Sequence, residues 1–252
     1  MPRYKLTVEY DGGAYAGWQR QVDLPSIQGV LEAAAAKLDE RPVEVQGAGR
    51  TDAGVHALGQ VAHLDLVKDF RSDVVRDGMN HHMRRSGVAI LMAEVVDEDF
   101  HARFSATKRH YLYRLIDRRP PLTLDIGKVW RIPVPLNAKA MHEAAQCLVG
   151  HHDFSTFRDA GCQARTPMRT FDAISVARVG AEIHLTCHAP SFLHRQVRSI
   201  TGSLAEVGRG NWTAEDFKAA FDSADRSRCG PVAPPDGLYL TQVDYEDAAR
   251  KA

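Results

Sequence analysis

In the first hundred residues the apolar pattern switches repeatedly between a period of two and a helical period, and that alternation restricts the fold more than any other feature. Residues 3–10 alternate, with Tyr4, Leu6, Val8 and Tyr10 on one face, as a half-buried strand does. After a turn-rich stretch over 11–25, Ser26 is placed to cap a helix through Ile27, Val30, Leu31, Ala34 and Leu38. Residues 43–45 read as a second strand running into Gly47, Gly49 and Gly54, and residues 61–66 alternate as a third. Ser72 is expected to cap a second helix through Val75 and Met79, and residues 87–96 form an apolar fourth strand. Strand, helix, strand, strand, helix, strand is the split βαβ order of ferredoxin-like domains.

The second half reuses the idea with longer connections. Tyr111, Tyr113 and Leu115 alternate, residues 138–148 have helical spacing, and 171–179 can pair with 183–188 across Gly180. A helix is expected over about 191–207 and a last strand near 238–243. Pro120-Pro121, Pro133, Pro135, Pro231, Pro234 and Pro235 mark loops. No residue-level repeat relates the halves, so the doubling is topological. The expected architecture is α+β: two ferredoxin-like, RRM-like halves with antiparallel sheets, divided as 1–97 and 98–252.

Composition narrows the class. With 44% hydrophobic and 25% charged residues, the chain has the balance of a globular protein and not of a disordered one. No run approaches the roughly 20 apolar residues needed to cross a bilayer, and Met1-Pro2-Arg3-Tyr4-Lys5 lacks the apolar block of a signal peptide. Cys147, Cys162, Cys187 and Cys229 are scattered without a Cys-x-x-Cys pair, so neither a zinc ribbon nor a disulfide framework is suggested, and a reducing cytoplasm is expected. Thirty-two Lys and Arg balance 32 Asp and Glu, which gives no global attraction for a polyanion. The charge is uneven, however. Between 101 and 131 stand eight cations (Arg103, Lys108, Arg109, Arg114, Arg118, Arg119, Lys128 and Arg131) against Asp117 and Asp125, whereas 211–252 holds five cations against eight acids. A basic stretch interleaved with Tyr111 and Tyr113 suits phosphate contact and base stacking; a basic strand face balanced by acids from elsewhere is the plainer alternative.

The most informative local pattern is Gly47-Ala48-Gly49-Arg50-Thr51-Asp52-Ala53-Gly54-Val55-His56-Ala57. Three glycines allow φ > 0 and close approach to a ligand, with Arg50 and Asp52 set between them. An ordinary strand-to-strand turn, with Asp52 bonded to its own backbone, is the plainer account of such a loop taken alone. The spacing fits neither a dinucleotide fingerprint nor a phosphate-binding P-loop. Adjacent pairs His81-His82 and His151-His152 point in different directions, and His184 and His188 share a strand face without an evident third ligand, so no metal site is expected.

The segment 47–57 resembles the catalytic motif of the TruA family of tRNA pseudouridine synthases. Further segments resemble that family in the same order: Tyr10-Asp11-Gly12, then Gly17-Trp18-Gln19-Arg20-Gln21 and Ser26-Ile27-Gln28; His101-Ala102-Arg103-Phe104-Ser105-Ala106 leading to Arg109-His110-Tyr111-Leu112-Tyr113-Arg114. Gly150-His151-His152-Asp153-Phe154-Ser155-Thr156-Phe157, Ser191-Phe192-Leu193-His194-Arg195-Gln196-Val197-Arg198 and Ala233-Pro234-Pro235-Asp236-Gly237-Leu238-Tyr239-Leu240 continue the series. Two departures stand out. Gln196 occupies a position where the family usually has Met, and after Asn80 the segment His81-His82-Met83-Arg84-Arg85-Ser86-Gly87 replaces an apolar run.

The resemblance implies isomerisation of uridine to pseudouridine in the anticodon stem-loop of tRNA, at positions 38 to 40, by a homodimer needing no cofactor. It implies a cleft between the halves in which Asp52 is the ionised catalytic carboxylate, kept charged by Arg198. Tyr111 would stack on a flipped-out uracil with its hydroxyl near C5, and Arg50 would fill the space the base vacates. Arg109 and His194, inside the matching segments, are read as substrate-binding. Whether Asp52 attacks C1′, adds to C6 or removes the 2′ proton stays open. Two other classes stand beside this reading: a non-catalytic RNA-binding module on the same platform, and a small-molecule enzyme using the 47–54 loop for a nucleotide.

Overall fold

The computed structural model describes residues 1–246. It divides into two compact units: Met1–Arg109 together with the chain from Tyr239, and His110–Leu238.

The first unit carries β1 (Arg3–Tyr10), α1 (Ile27–Asp39), the short β2 (Gln46–Gly47), β3 (His56–Asp65), α2 (Ser72–His82) and β4 (Val88–Val96). β1 lies between antiparallel partners β3 and β4. β2 adds to the far edge of β3, antiparallel, with Gln46 opposite His63 and Gly47 opposite Ala62. This is the ferredoxin-like strand order. Tyr4, Leu6, Val8 and Tyr10 are buried, as are Ile27, Leu31, Ala34 and Ala35 of α1 and Val75 and Met79 of α2. Each large apolar side chain so buried contributes roughly 1.5–3 kcal/mol. Ser26 caps α1 as expected, its hydroxyl accepting from Gly29 N–H at 3.2 Å. Ser72 is instead the first helical residue, and Arg71 precedes it without a side-chain cap bond.

Residues 43–45 do not form the strand expected of them; only Gln46–Gly47 pairs. The cause lies on α1. Gln28 Nε2 donates to Val45 O at 3.0 Å and the Glu32 carboxylate accepts from Val45 N–H at 3.3 Å, so helix side chains occupy the backbone groups a ladder would use. The departure at 81–87 ends α2 in a turn with Arg85 and Gly87 at positive φ, where Gly87 O accepts from Asp11 N–H and Ser86 O from the Tyr15 hydroxyl.

The second unit holds most of β5 (Ala106–Ile116), β6 (Trp130–Arg131), α3 (Ala138–Ala145), β7 (Gly150–Asp153), β8 (Met168–Phe171), β9 (Ala173–Val179), β10 (Glu182–Ala189), α4 (Gln196–Arg209) and α5 (Ala214–Asp222). β9 and β10 form the hairpin expected across Gly180, with Val179 opposite Glu182. β10 neighbours β5, and β6 extends β5 in parallel. The strand expected over 171–179 is two strands: Met168–Phe171 pairs with β7, and the chain bends at Asp172, whose N–H donates to His188 O at 3.1 Å. The helix expected from 191 starts at Gln196, because Arg195 has a left-handed φ of 56° and the Gln196 side chain accepts from Leu193 N–H at 2.7 Å. Tyr113, Leu115, Ile183, Leu185, Ile200, Leu204, Phe217 and Phe221 build this unit's core.

The division differs from the one expected at 97/98. Residues 100–109 belong to the first unit because side chains of that unit hold them: Ala102 N–H donates to His63 Nδ1 at 3.1 Å, and Arg3 Nη1 to Phe100 O at 2.9 Å. β11 (Leu238–Tyr245) also returns there from Tyr239, running parallel to β3 with Tyr239 opposite His56 and Leu240 opposite Ala57. The Tyr245 hydroxyl closes this packing by donating to Ala102 O at 2.7 Å.

Candidate active site

In the first unit, the 47–57 loop connects β2 to β3, and backbone bonds fix it from several sides. Ala48 N–H donates to Val61 O at 2.7 Å, Trp18 N–H to Thr51 O at 3.0 Å and Gly54 N–H to Tyr15 O at 3.3 Å. Val55 N–H closes on Asp52 O at 3.2 Å, a tight turn whose third residue, Gly54, supplies the positive φ of 78° that the turn demands. Asp52 therefore opens a turn, with its carbonyl committed to the backbone and its side chain half-buried. Arg50 precedes it and is exposed.

The approach of residues 12–18 to this loop depends on missing side chains. Gly17 has φ +110°, and a Cβ there would stand 2.7 Å from Thr51 O and 3.1 Å from the carbonyl carbon of Asp52. Gly12 lies hard against Val55 O, and its N–H donates to His56 Nδ1 at 3.1 Å. Gly47 leaves room for the Trp18 indole. Gly12 and Gly17 thus let two stretches of backbone lie against each other, and Gly47 admits the indole that packs beside them.

Arg109, the last residue of the first unit, braces the same loop. Its Nη2 donates to Ala48 O at 2.8 Å and to Arg103 O at 2.7 Å, and its Nη1 to Ala106 O at 3.1 Å. Arg109, expected on substrate from its place in a matching segment, meets three backbone carbonyls of its own unit. The basic stretch 101–131 also divides. Arg103, Lys108 and Arg109 belong to the first unit, and in the second Arg114 grips Glu182 through two bonds of 2.9 and 2.6 Å. That guanidinium outweighs burial and holds the Glu182 carboxyl below its usual range.

In the second unit, Tyr111 is half-buried on β5 and meets the Phe192 ring edge-on at 5.0 Å; Phe192 in turn meets Phe171 at 5.3 Å. Tyr113, two residues on and on the same face, is buried and donates its hydroxyl to Pro234 O at 2.6 Å. Burial holds its phenol well above the ordinary value, and the nearby Arg198 charge acts in the opposite direction. Arg198 stands in the first turn of α4. Its Nε donates to Ala233 O at 2.8 Å, and Ala233 N–H returns a bond to Arg198 O at 3.1 Å. The proline-rich 231–235 loop, whose end opens the last of the matching segments, is therefore the clamp that orients Arg198 and Tyr113. His194 is exposed, with Nδ1 3.4 Å from Asp159 Oδ1, while Arg195 reaches the other carboxylate oxygen at 3.2 Å.

So the structure joins Arg50, Asp52 and Arg109 through one loop of the first unit, and it places Tyr111, Arg198 and His194 on the second. Phe192, Ala233, Gly12, Gly17 and Trp18 stand in the segments that match the family, but no role is read for them in the sequence; their part comes from contacts between distant stretches of chain. Among the described residues, no group of three His, Cys, Asp or Glu side chains is arranged to hold a metal ion. His184 instead bonds Glu182 at 2.8 Å, and His188 lies against His110. What the side chains offer is a half-buried carboxylate on a rigid turn, a phenol edge-packed on an aromatic ring, and a clamped guanidinium.

The family model described as tRNA pseudouridine synthase matches residues 6–105 and 144–246. A protein of Maricaulis maris (strain MCS10) named tRNA pseudouridine synthase A is 66% identical over 249 residues, covering 99% of this chain and all of that one. Proteins of the same name from Rhodopseudomonas palustris (strain HaA2) and Xanthobacter autotrophicus (strain ATCC BAA-1158 / Py2) are each 59% identical, covering 97% of this chain and the whole of theirs.

Proposed function

The chain belongs to the tRNA pseudouridine synthase family and is an isomerase converting uridine in tRNA to pseudouridine; from that premise we propose the part its residues play. The reaction breaks the bond between N1 and C1′, rejoins the same base through C5, and releases the C5 proton. The reacting bond is hidden in a base stack, so the uridine must leave it. Asp52 is the carboxylate that meets the flipped nucleotide, ionised, whether as nucleophile at C1′ or C6 or as the base at C2′. Each route uses an ionised carboxylate, and where the sugar passes through an oxocarbenium-like stage that negative charge stabilises it, as in glycoside hydrolysis. The observation that carries this assignment is the loop: Asp52 opens a turn held by Trp18, Tyr15 and Val55, so its carboxylate starts from a fixed backbone.

Tyr111 stacks on the uracil and assists loss of the C5 proton, and Arg198 supplies the cation that keeps a desolvated carboxylate charged. Arg50 occupies the place the base leaves. His194, exposed and beside Asp159, contacts the RNA backbone. Arg109 serves substrate indirectly, by holding Ala48 at the head of the loop. The target is the anticodon stem-loop at positions 38 to 40 and the working form is a homodimer, both resting on the motif resemblance read in the sequence; a cytoplasmic location rests on the scattered cysteines.

Release of tritium from tRNA carrying C5-labelled uridine tests the activity. Purified protein is expected to release label in proportion to the pseudouridine formed, and Asp52→Asn is expected to release none. Binding of tRNA with no release by the parent protein would favour a non-catalytic RNA-binding module.

A further inference from the structure

Beneath the loop lies a buried polar cluster that the chemistry above does not use. The Tyr10 hydroxyl is 2.8 Å from Thr51 Oγ1. Gln60 Nε2 donates to Gly49 O at 3.0 Å and lies 3.5 Å from the Tyr10 hydroxyl, while Gln60 Oε1 accepts from Val61 N–H at 3.2 Å. Tyr10 is 2% exposed, Gln60 0% and Thr51 7%. Burying two hydroxyls and an amide is unfavourable unless each finds a partner, and apolar residues of like volume fill such a space without that cost. A stability role alone does not account for the choice.

The placement does. Gly49 and Thr51 flank Arg50, and Thr51 immediately precedes Asp52. Gln60 holds the loop at Gly49, Tyr10 holds it at Thr51, and Trp18 N–H takes the Thr51 carbonyl. The sheet is irregular where this happens. β1 pairs Val8 with Gln60 but Tyr10 with Ala57, so β3 carries one extra residue between these pairs, a bulge of the kind that re-aims side chains. Across it, Tyr10 and Gln60 come within reach of each other and of the loop above.

We propose that Tyr10, Gln60 and Thr51 form a positioning network that fixes the backbone from Gly49 to Asp52 and so sets where the catalytic carboxylate stands. The three are positioning residues: they act through the loop and do not touch the uridine. The proposal rests on the assignment of Asp52 above. A displacement of the order of 1 Å in a reacting group can cost as much as about a hundredfold in rate, so loosening one tether is expected to lower the chemical step without weakening tRNA binding.

The test compares Tyr10→Phe, Thr51→Val, their double variant and Thr51→Ser by single-turnover pseudouridine formation, tRNA affinity and melting temperature. Tyr10→Phe and Thr51→Val are expected to slow the single-turnover rate by about tenfold or more, with tRNA affinity within about twofold of the parent. The double variant should be no slower than the worse single one, since both remove the same bond. Thr51→Ser keeps the hydroxyl and should recover most of the rate whatever its melting temperature, a rescue that a purely structural role does not predict. Folded Tyr10→Phe and Thr51→Val proteins reacting within twofold of the parent would overturn the proposal, as would rate losses that follow melting temperature and ignore the hydroxyl. Parent and Asp52→Asn run alongside. If Asp52→Asn is inactive while the tether variants keep the parental rate, only the network is refuted; if Asp52→Asn matches the parent, the assignment of Asp52 falls and the network with it.

Discussion

Replacing Gly17 by Ala is expected to damage the protein at one identifiable place, while the same change at Gly49 is not. At Gly17 two costs add. The residue sits at φ +110°, where an L side chain is strained by about 1–3 kcal/mol. Its new Cβ would also stand 2.7 Å from Thr51 O and 3.2 Å from Ala53 N, backbone atoms that no rotamer change can move aside, which adds about 1–3 kcal/mol of overpacking. The sum, roughly 2–6 kcal/mol, is a large part of the 5–15 kcal/mol that stabilises a typical domain. At about 2–4 °C per kcal/mol for a chain of this size, a loss near 4 kcal/mol lowers Tm by about 8–16 °C. Gly49 has no positive φ, and a Cβ there meets nothing within 4 Å, so Gly49→Ala should change stability by less than about 0.5 kcal/mol. Urea denaturation of both variants measures the contrast. Should Gly17→Ala relieve the clash by pushing the loop aside, the single-turnover rate would fall instead. A Gly17→Ala protein matching the parent in both stability and rate would refute the account of the loop.

Stability should also fall in mild acid through His63. This ring is 5% exposed, accepts from Ala102 N–H and lies against His101; burial first, then the His101 and Arg3 charges, hold its pKa down to about 4. A depressed histidine pKa favours the neutral form, so its contribution is complete above about 6.5 and is lost as pH falls toward 4, by about 2.5 kcal/mol at pH 4.5. His63→Asn, which keeps an acceptor for Ala102, should flatten that loss, and parallel pH profiles of parent and variant would exclude His63 as its source. Affinity for tRNA should weaken by at least about tenfold between 50 and 200 mM salt, as expected for contact with several phosphates, and an affinity indifferent to salt would rule out a phosphate-directed patch.

The parts of the molecule legible in the sequence are those set by neighbours along the chain. The alternation over 3–10, the Ser26 cap and the 179–182 hairpin each depend on a few consecutive residues, and each is present. What was not legible depends on distant partners. Val45 lost its strand to Gln28 and Glu32, the strand over 171–179 broke where Asp172 meets His188, and the last strand returned to pair with β3. The candidate site divides the same way. The glycines located the Asp52 loop, but not the Tyr15, Trp18 and Gly12 backbone that holds it, since those groups lie more than 30 residues away. Arg109 reads from its matching segment as a substrate-binding cation, and only the fold reveals its carbonyl partners.

The central claim, that Asp52 performs the isomerisation, is tested most directly by single-turnover mapping of pseudouridine in tRNA with excess parent protein or Asp52→Asn. The account predicts pseudouridine at positions 38 to 40 with the parent. With Asp52→Asn it predicts none, while affinity for tRNA is retained within a few-fold. A rate for Asp52→Asn within about tenfold of the parent would contradict it.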